Sequence, residues 1–255
     1  PFPVPLSPFH LKLLLSSAGL LDESGLPQPE PVRAFLEASR GEALLQLAIA
    51  WLNSAIFNDL RLVPGLAAEG EWENDPQRTR RSILDFLSTL PGGEASAETV
   101  PAGEPSRRES YPFWSIDSFV AAIRAKHPDF QRPAGDYDSW FIRDQRTHEF
   151  LRGFEHWERV DGALVRFILT GPLHWLGILD LAAPAAELPV TAFRFSEWAS
   201  ALLRGRAPTG MHAEDGPISI RSNGPLRLSR YAPRAVRYQL ARCCAWDGEQ
   251  EGVYV

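Results

Sequence analysis

The stretch Glu155-His-Trp-Glu-Arg-Val-Asp-Gly-Ala-Leu-Val-Arg-Phe-Ile-Leu-Thr170-Gly-Pro-Leu-His-Trp-Leu-Gly-Ile-Leu-Asp-Leu181, followed by Thr191-Ala-Phe-Arg-Phe-Ser196, decides how the chain is read. The first part is apolar at helical steps, and Thr170-Gly-Pro breaks it because glycine and proline disfavour a continuing helix. Trp175 to Leu181 then reads as a strand, and Phe193-Arg-Phe alternates as a second strand. Helix, break, strand, loop and strand follow one another within about 40 residues.

That order is how a winged-helix domain finishes, and such domains dock onto nucleic acid or another protein. The helix expected to read a groove, Arg159 to Leu169, offers only Arg159 and Arg166 as cations among apolar neighbours. Two cations are few for groove reading. A winged helix kept as a scaffold or protein-docking surface is therefore an equal expectation.

Working outward, Leu11, Leu14, Leu15 and Ala18 mark a first helix within Pro8 to Leu21, with Gly19 as its C-cap signal. Glu30-Pro-Val-Arg opens a second helix, and Glu42 to Leu60 predicts a long buried helix ending near Asn58-Asp59. Asp75 and Pro76 open the next one as cap and first-turn proline. Pro91 to Ser110, rich in proline and glycine, predicts a poorly ordered loop. Ser115 caps a helix that ends at His127-Pro128, Trp140 to Trp157 reads as an aromatic helical stretch interrupted near Gly153, and Glu197 to Arg204 is read as a helix capped by Ser196. Beyond Arg206, Ile218-Ser-Ile and Leu226-Arg-Leu predict short strands around a Ser222-Asn-Gly-Pro turn, Pro233 to Trp246 a helix, and Val253-Tyr-Val a third strand.

These signals predict an α+β fold, predominantly helical, with winged-helix-like modules and small β-hairpin wings. The expected organisation is an N-terminal helical module over 1–72, a winged-helix-like domain over 73–206 with a flexible loop at 91–110, and an incomplete α+β subdomain over 207–255. The chain, which opens on Pro1 and stops at Val255, is read as a fragment of a longer protein.

Composition narrows the function. With 44% apolar residues among 255, the chain can fill a core. A net charge of −6 argues against non-specific coating of nucleic acid. Charge is uneven, however: Arg204 to Trp246 holds eight arginines against Glu214 and Asp215. Two adjacent cysteines, Cys243 and Cys244, make no disulfide framework and fit a reducing cytoplasm. Apolar runs are too short to span a bilayer, so no membrane contact is expected.

Catalytic motifs are sparse. His212-Ala-Glu214 with Cys243 downstream has the outline of a zinc deaminase, but the cysteines stand side by side where the pattern needs Pro-Cys-x-x-Cys. His148-Glu149 opens like a zinc peptidase motif, yet Arg152 occupies the second ligand position. Neither a P-loop, a Gly-x-Ser-x-Gly elbow nor a Gly-x-Gly-x-x-Gly turn occurs. No cofactor or metal is expected, and a zinc-dependent hydrolase is the distant alternative.

The arginines remain. Arg230, Arg234 and Arg237 fall on one helix face if Arg230 caps the helix, with Arg227 joining from the strand and Arg221 and Arg242 nearby. Guanidinium groups in a row suit phosphate oxygens; the bland alternative is a solvated face paired with Asp215, Glu249 and Glu251.

Ser7 to Leu60, Asn74-Asp-Pro, Trp157 to Asp180, Phe193-Arg-Phe-Ser and above all Ile218-Ser-Ile through Arg234-Ala-Val-Arg-Tyr-Gln-Leu-Ala-Arg242 resemble bacterial proteins that carry a helicase-associated (XPB-type) accessory domain with winged-helix modules and without the ATPase motor. The resemblance implies a non-enzymatic accessory module for nucleic-acid transactions. Weak nucleic-acid binding through Arg221, Arg227, Arg230, Arg234, Arg237 and Arg242, with Arg159 and Arg166 as further candidates, is the expectation; the alternative partner is a protein, met by winged-helix and aromatic surfaces.

Overall fold

The computed structural model describes residues 3–70, 72–91, 112–220, 226–245 and 253–254. The loop expected beyond Pro91, the Ser222-Asn-Gly-Pro turn, Arg221, Trp246, Glu249 and Glu251 lie outside the described residues. Among the described residues the fold is mixed α/β, rich in helix, with small antiparallel sheets.

Helix α1 (Pro8–Ser17) starts where Ser7 Oγ accepts from the His10 amide at 3.2 Å, and α2 (Pro29–Glu37) carries proline in its first turn, where no amide partner is needed. A capping box opens α3 (Arg40–Asn53): Ser39 Oγ accepts from the Glu42 amide, and the Glu42 carboxylate accepts from the Ser39 amide. The Ser39 hydroxyl and then the Ser39 amide hold the Glu42 carboxyl below its ordinary value.

The long helix expected to reach Asn58-Asp59 stops at Asn53. Arg80 is the reason. Its Nη1 donates to the carbonyls of Trp51 and Ser54 at 2.6 Å each, its Nη2 to the Phe57 carbonyl, and its Nε to Asp59 Oδ2 at 2.7 Å. Carbonyls that would have continued the helix turn toward this guanidinium instead, and a separate α4 (Asp59–Leu62) follows.

Strand β1 (Leu66–Ala68) leads to α5 (Pro76–Ser88), capped as expected by Asp75, whose carboxylate accepts from the Arg78 amide at 2.9 Å. Strand β2 (Trp114–Ser115) runs directly into α6 (Ile116–Lys126), capped by Ser115. The helix expected over Trp140 to Trp157 is replaced by β3 (Ile142–Asp144), antiparallel to β1. Asp144 Oδ1 accepts from the amides of Arg146 and Thr147 at 2.8 and 2.9 Å, closing a turn that brings Phe150 back beside Arg143. Burial alternates along Trp140, Phe141 and Ile142, a period of two that the aromatic spacing concealed.

After a 3-10 turn (Phe154–His156) and a π turn (Glu158–Gly162) comes α7 (Ala163–Thr170), with Leu164, Val165, Phe167, Ile168 and Leu169 all buried. Buried Asp161 ties the π turn to the preceding loop, accepting from Arg132 Nη2 at 3.0 Å and from Gln131 Nε2 at 2.7 Å. The break falls at Gly171. A Cβ there would lie 2.6 Å from the Phe167 carbonyl oxygen, so only glycine lets the chain turn so tightly. Pro172 begins α8 (Pro172–Trp175), and the strand expected from Trp175 therefore starts later, as β4 (Leu179–Ala182). Strand β5 (Ala192–Phe195) pairs with β4 on one side and β2 on the other, giving the order β2-β5-β4. Ser196 Oγ accepts from the Trp198 amide, and α9 (Ala199–Leu203) begins two residues later than expected.

One buried cluster runs from Leu14 to Leu202. Trp51 and Leu60 share it with Ile83, Leu164 and Phe193, so residues on both sides of position 72 pack into the same core. Backbone bonds join the ends as well: the Val4 amide donates to the Thr170 carbonyl and Trp175 Nε1 to the Val4 carbonyl.

The C-terminal unit follows its expected pattern. Strands β6 (Ile218–Ile220), β7 (Leu226–Leu228) and β8 (Val253–Tyr254) form an antiparallel sheet in the order β6-β7-β8, and α10 (Arg234–Cys243) packs on it through Leu226, Leu228, Ala232 and Leu240. Among the described residues no helix is long and apolar enough to cross a membrane.

Candidate nucleic-acid interface

The turn into α10 is set by Ser229: its Oγ accepts from the Tyr231 amide at 3.1 Å and its carbonyl from the Ala232 amide at 2.9 Å. Pro233, not Arg230, is the residue that precedes the helix, which corrects the expected cap. Arg234 thus opens α10 and Arg237 stands one turn on. The Gly216 amide donates to the Tyr231 carbonyl at 2.9 Å, which brings Glu214 against this helix start.

Glu214 is a hub. Arg234 Nε donates to its Oε2 at 2.9 Å, while Arg40 Nε and Arg237 Nη2 each stand 3.9 Å from its Oε1. Arg234 also donates through Nη2 to the Ala38 carbonyl and lies 5.3 Å from the Phe35 ring, which couples α10 to the loop before α3. At 3.9 Å, Arg40 and Arg237 feel the carboxylate as a charge without being hydrogen-bonded to it.

Beside this hub opens a cleft of about 410 Å³. Arg40, Arg230 and Arg237 line it together with Tyr231, His212, Trp198 and Met211, and Glu214 is the one carboxylate in its wall among the described residues. Tyr231 forms the centre, with the Arg230 and Arg40 guanidinium carbons 4.8 and 5.7 Å from its ring centroid and the His212 ring at 5.3 Å. Arg237 Nε is buried with no acceptor among the described residues. Among the described residues the guanidinium donors are forked and incompletely used, and one carboxylate faces three of them, an arrangement whose chemistry suits an oxyanion. A larger groove of about 590 Å³ between α5 and the end of α6 sets Arg78 and Lys126 against Asp85 and Asp129, and so offers no comparable excess of one sign.

Three of the expected arginines, Arg230, Arg234 and Arg237, meet here. Arg227 is exposed on β7, where the alternation of the strand turns it away from the face that Leu226 and Leu228 present to α10. Arg242 is exposed in the last turn and donates to Gln239. Arg159 and Arg166 lie in the main body, each between two carboxylates: Arg159 with Asp144 and Glu149 at 2.7 and 3.2 Å, Arg166 with Asp117 and Glu158 at 2.5 and 2.7 Å.

Comparison with protein-family profiles, curated proteins and solved structures found no match. The site therefore rests on its own geometry.

The residues of the zinc motifs are placed differently from what those motifs need. Glu214 is surrounded by guanidinium groups, Cys243 is exposed, and His148 sits in the turn after β3 with φ 60°. Among the described residues no group of three or more histidine, cysteine or acidic side chains is arranged to hold a metal ion. Sequence reading missed Arg40, Trp198, Met211 and Tyr231 as lining residues. No local signal marks them; Arg40 Nη1 donates to the carbonyl of His212, 172 positions away.

Proposed function

We propose that this chain is a non-enzymatic accessory module that binds nucleic acid weakly through the cleft lined by Arg40, Arg230 and Arg237. The observation that carries the reading is that three guanidinium groups converge on one concave site in which, among the described residues, Glu214 is the one carboxylate. Arg221, Arg227 and Arg242 extend the same basic segment in sequence and would add contacts beyond the cleft.

Winged-helix architecture for the main body is part of this reading. Its support is the succession α5, β2, α6, α7, β4, β5 with the sheet order β2-β5-β4, in which residues 183–191 take the place of the wing and residues 127–157 form an insertion. With α7 buried and Arg159 and Arg166 already paired, such a module acts as scaffold while the C-terminal unit meets the phosphates. The likeness to helicase-associated (XPB-type) accessory domains points the same way.

A protein partner is favoured by a different feature. Phe141 and Phe150 are exposed, stand edge to face at 6.2 Å, and are both capped by Arg152. Exposed aromatic and arginine groups are common anchors of protein interfaces.

Fluorescence anisotropy with labelled single- and double-stranded oligonucleotides separates the two. Affinity is expected to fall with salt, with a log–log slope of about −1.4 to −2.7 for two or three phosphate contacts. The double variant Arg230→Ala, Arg237→Ala is expected to weaken binding and flatten that slope. No binding at low salt overturns the nucleic-acid reading.

A further inference from the structure

Charge and shape at the cleft carry a more specific conclusion. Arg234 already neutralises much of Glu214, with Nε at 2.9 Å from the carboxylate and both side chains largely buried. Arg40, Arg230 and Arg237 are left facing the same space. A phosphodiester inside a strand brings one negative charge, whereas a phosphomonoester at neutral pH brings about −1.5 to −2 and three acceptor oxygens. Three forked donors are better matched by the second. The site is also a concavity of about 410 Å³ backed by Trp198, Met211 and Tyr231. Arg237 Nε is buried without an acceptor among the described residues. A continuing strand follows an open groove, while a terminal phosphate enters a pocket.

We infer that the cleft selects a phosphomonoester, and hence the phosphorylated end of a nucleic-acid strand, over internal phosphodiesters. This rests on the nucleic-acid reading for the identity of the strand, but not for the phosphoryl group. The terminal phosphate sits between Arg40, Arg230 and Arg237, its oxygens accepting from their guanidinium groups, and the terminal nucleoside lies toward Tyr231 and His212.

The full chain is titrated against one labelled single-stranded oligonucleotide in two forms, with a 5′-phosphate and with a 5′-hydroxyl, and separately against phenyl phosphate by NMR or calorimetry. The phosphorylated strand is expected to bind about tenfold tighter, as one added charge-assisted contact of about 1.4 kcal/mol requires. Arg237→Ala is expected to erase that preference. Arg230→Ala, which alters an exposed side chain hydrogen-bonded to Tyr231 Oη, is expected to reduce it while leaving the thermal melt unchanged. Equal affinity for the two strands overturns the inference and leaves the nucleic-acid reading standing. Phenyl phosphate bound at the cleft with neither strand bound supports the phosphomonoester site and overturns the nucleic-acid reading. Absence of all three overturns both.

Discussion

Arg80 shows how much one side chain decides. It is fully buried, donates to three carbonyls and one carboxylate, and lies 5.1 Å from the Trp51 ring. Burial pushes the Asp59 carboxyl up and the Arg80 guanidinium down, and each is opposed by the charge of the other. A buried pair of this kind is costly to break on one side, because the survivor is left as an uncompensated charge. Arg80→Met is expected to lose about 3–5 kcal/mol in urea unfolding; a loss under about 1 kcal/mol, the scale of an exposed pair, would contradict the role given to Arg80. Nothing in Gln77-Arg-Thr-Arg-Arg81 distinguishes Arg80 from the exposed Arg78 and Arg81 except its place on the buried face with Ile83 and Leu87. Asp144 behaves oppositely. Backbone amides of Thr147 and Arg146, then Arg159, pull its carboxyl down to about 2. Protonation therefore favours the unfolded chain: the contribution is complete above the ordinary value of 3.8 and fades as pH falls toward 2. A carboxyl carbon titration by NMR should place its midpoint near 2, and Arg159→Ala should raise it only in part, because the amides come first. A midpoint in the ordinary range for the unaltered chain would show that the turn after β3 is not held this way.

At the scale of elements, the legible ones were those whose limits are set by near neighbours. Asp75 with Pro76, and Ser115, each announce a helix start within four residues, and each does so in the structure. Limits set from afar were hidden: the end of α3 depends on Arg80, and β3 exists because β1, more than 70 residues earlier, supplies its partner. Gly41 is another case. A Cβ on it would collide with the Pro208 carbonyl oxygen, so the first turn of α3 is the bed on which the segment leading to His212 and Glu214 lies. Gly41→Ala is expected to cost about 1–3 kcal/mol, as overpacking does, and to weaken anion binding, since Arg40 and His212 flank that contact. An unchanged melting temperature together with unchanged binding would remove Gly41 from this role.

For the whole molecule, the helix, break, strand, loop and strand order read from Glu155 to Ser196 reappears, with α8 added between break and strand. The cleft was legible only by half. Arg230, Arg234 and Arg237 stand within one short segment, and their clustering in sequence survives as clustering in space. Arg40 and Trp198 reach the site only through the docking of the C-terminal unit on the main body, which no periodicity reports. Among its described residues that unit has a buried apolar cluster of Leu228 and Ala232, with Leu226, Leu240 and Cys244 packed against them. The bond from Arg234 to the Ala38 carbonyl and the Arg40 guanidinium 3.9 Å from Glu214 contribute to keeping it seated. Docking and anion binding are consequently two halves of one linked equilibrium. An occupant that relieves the mutual repulsion of the cleft arginines must tighten the seating of the C-terminal unit by the same free energy with which seating improves its own affinity.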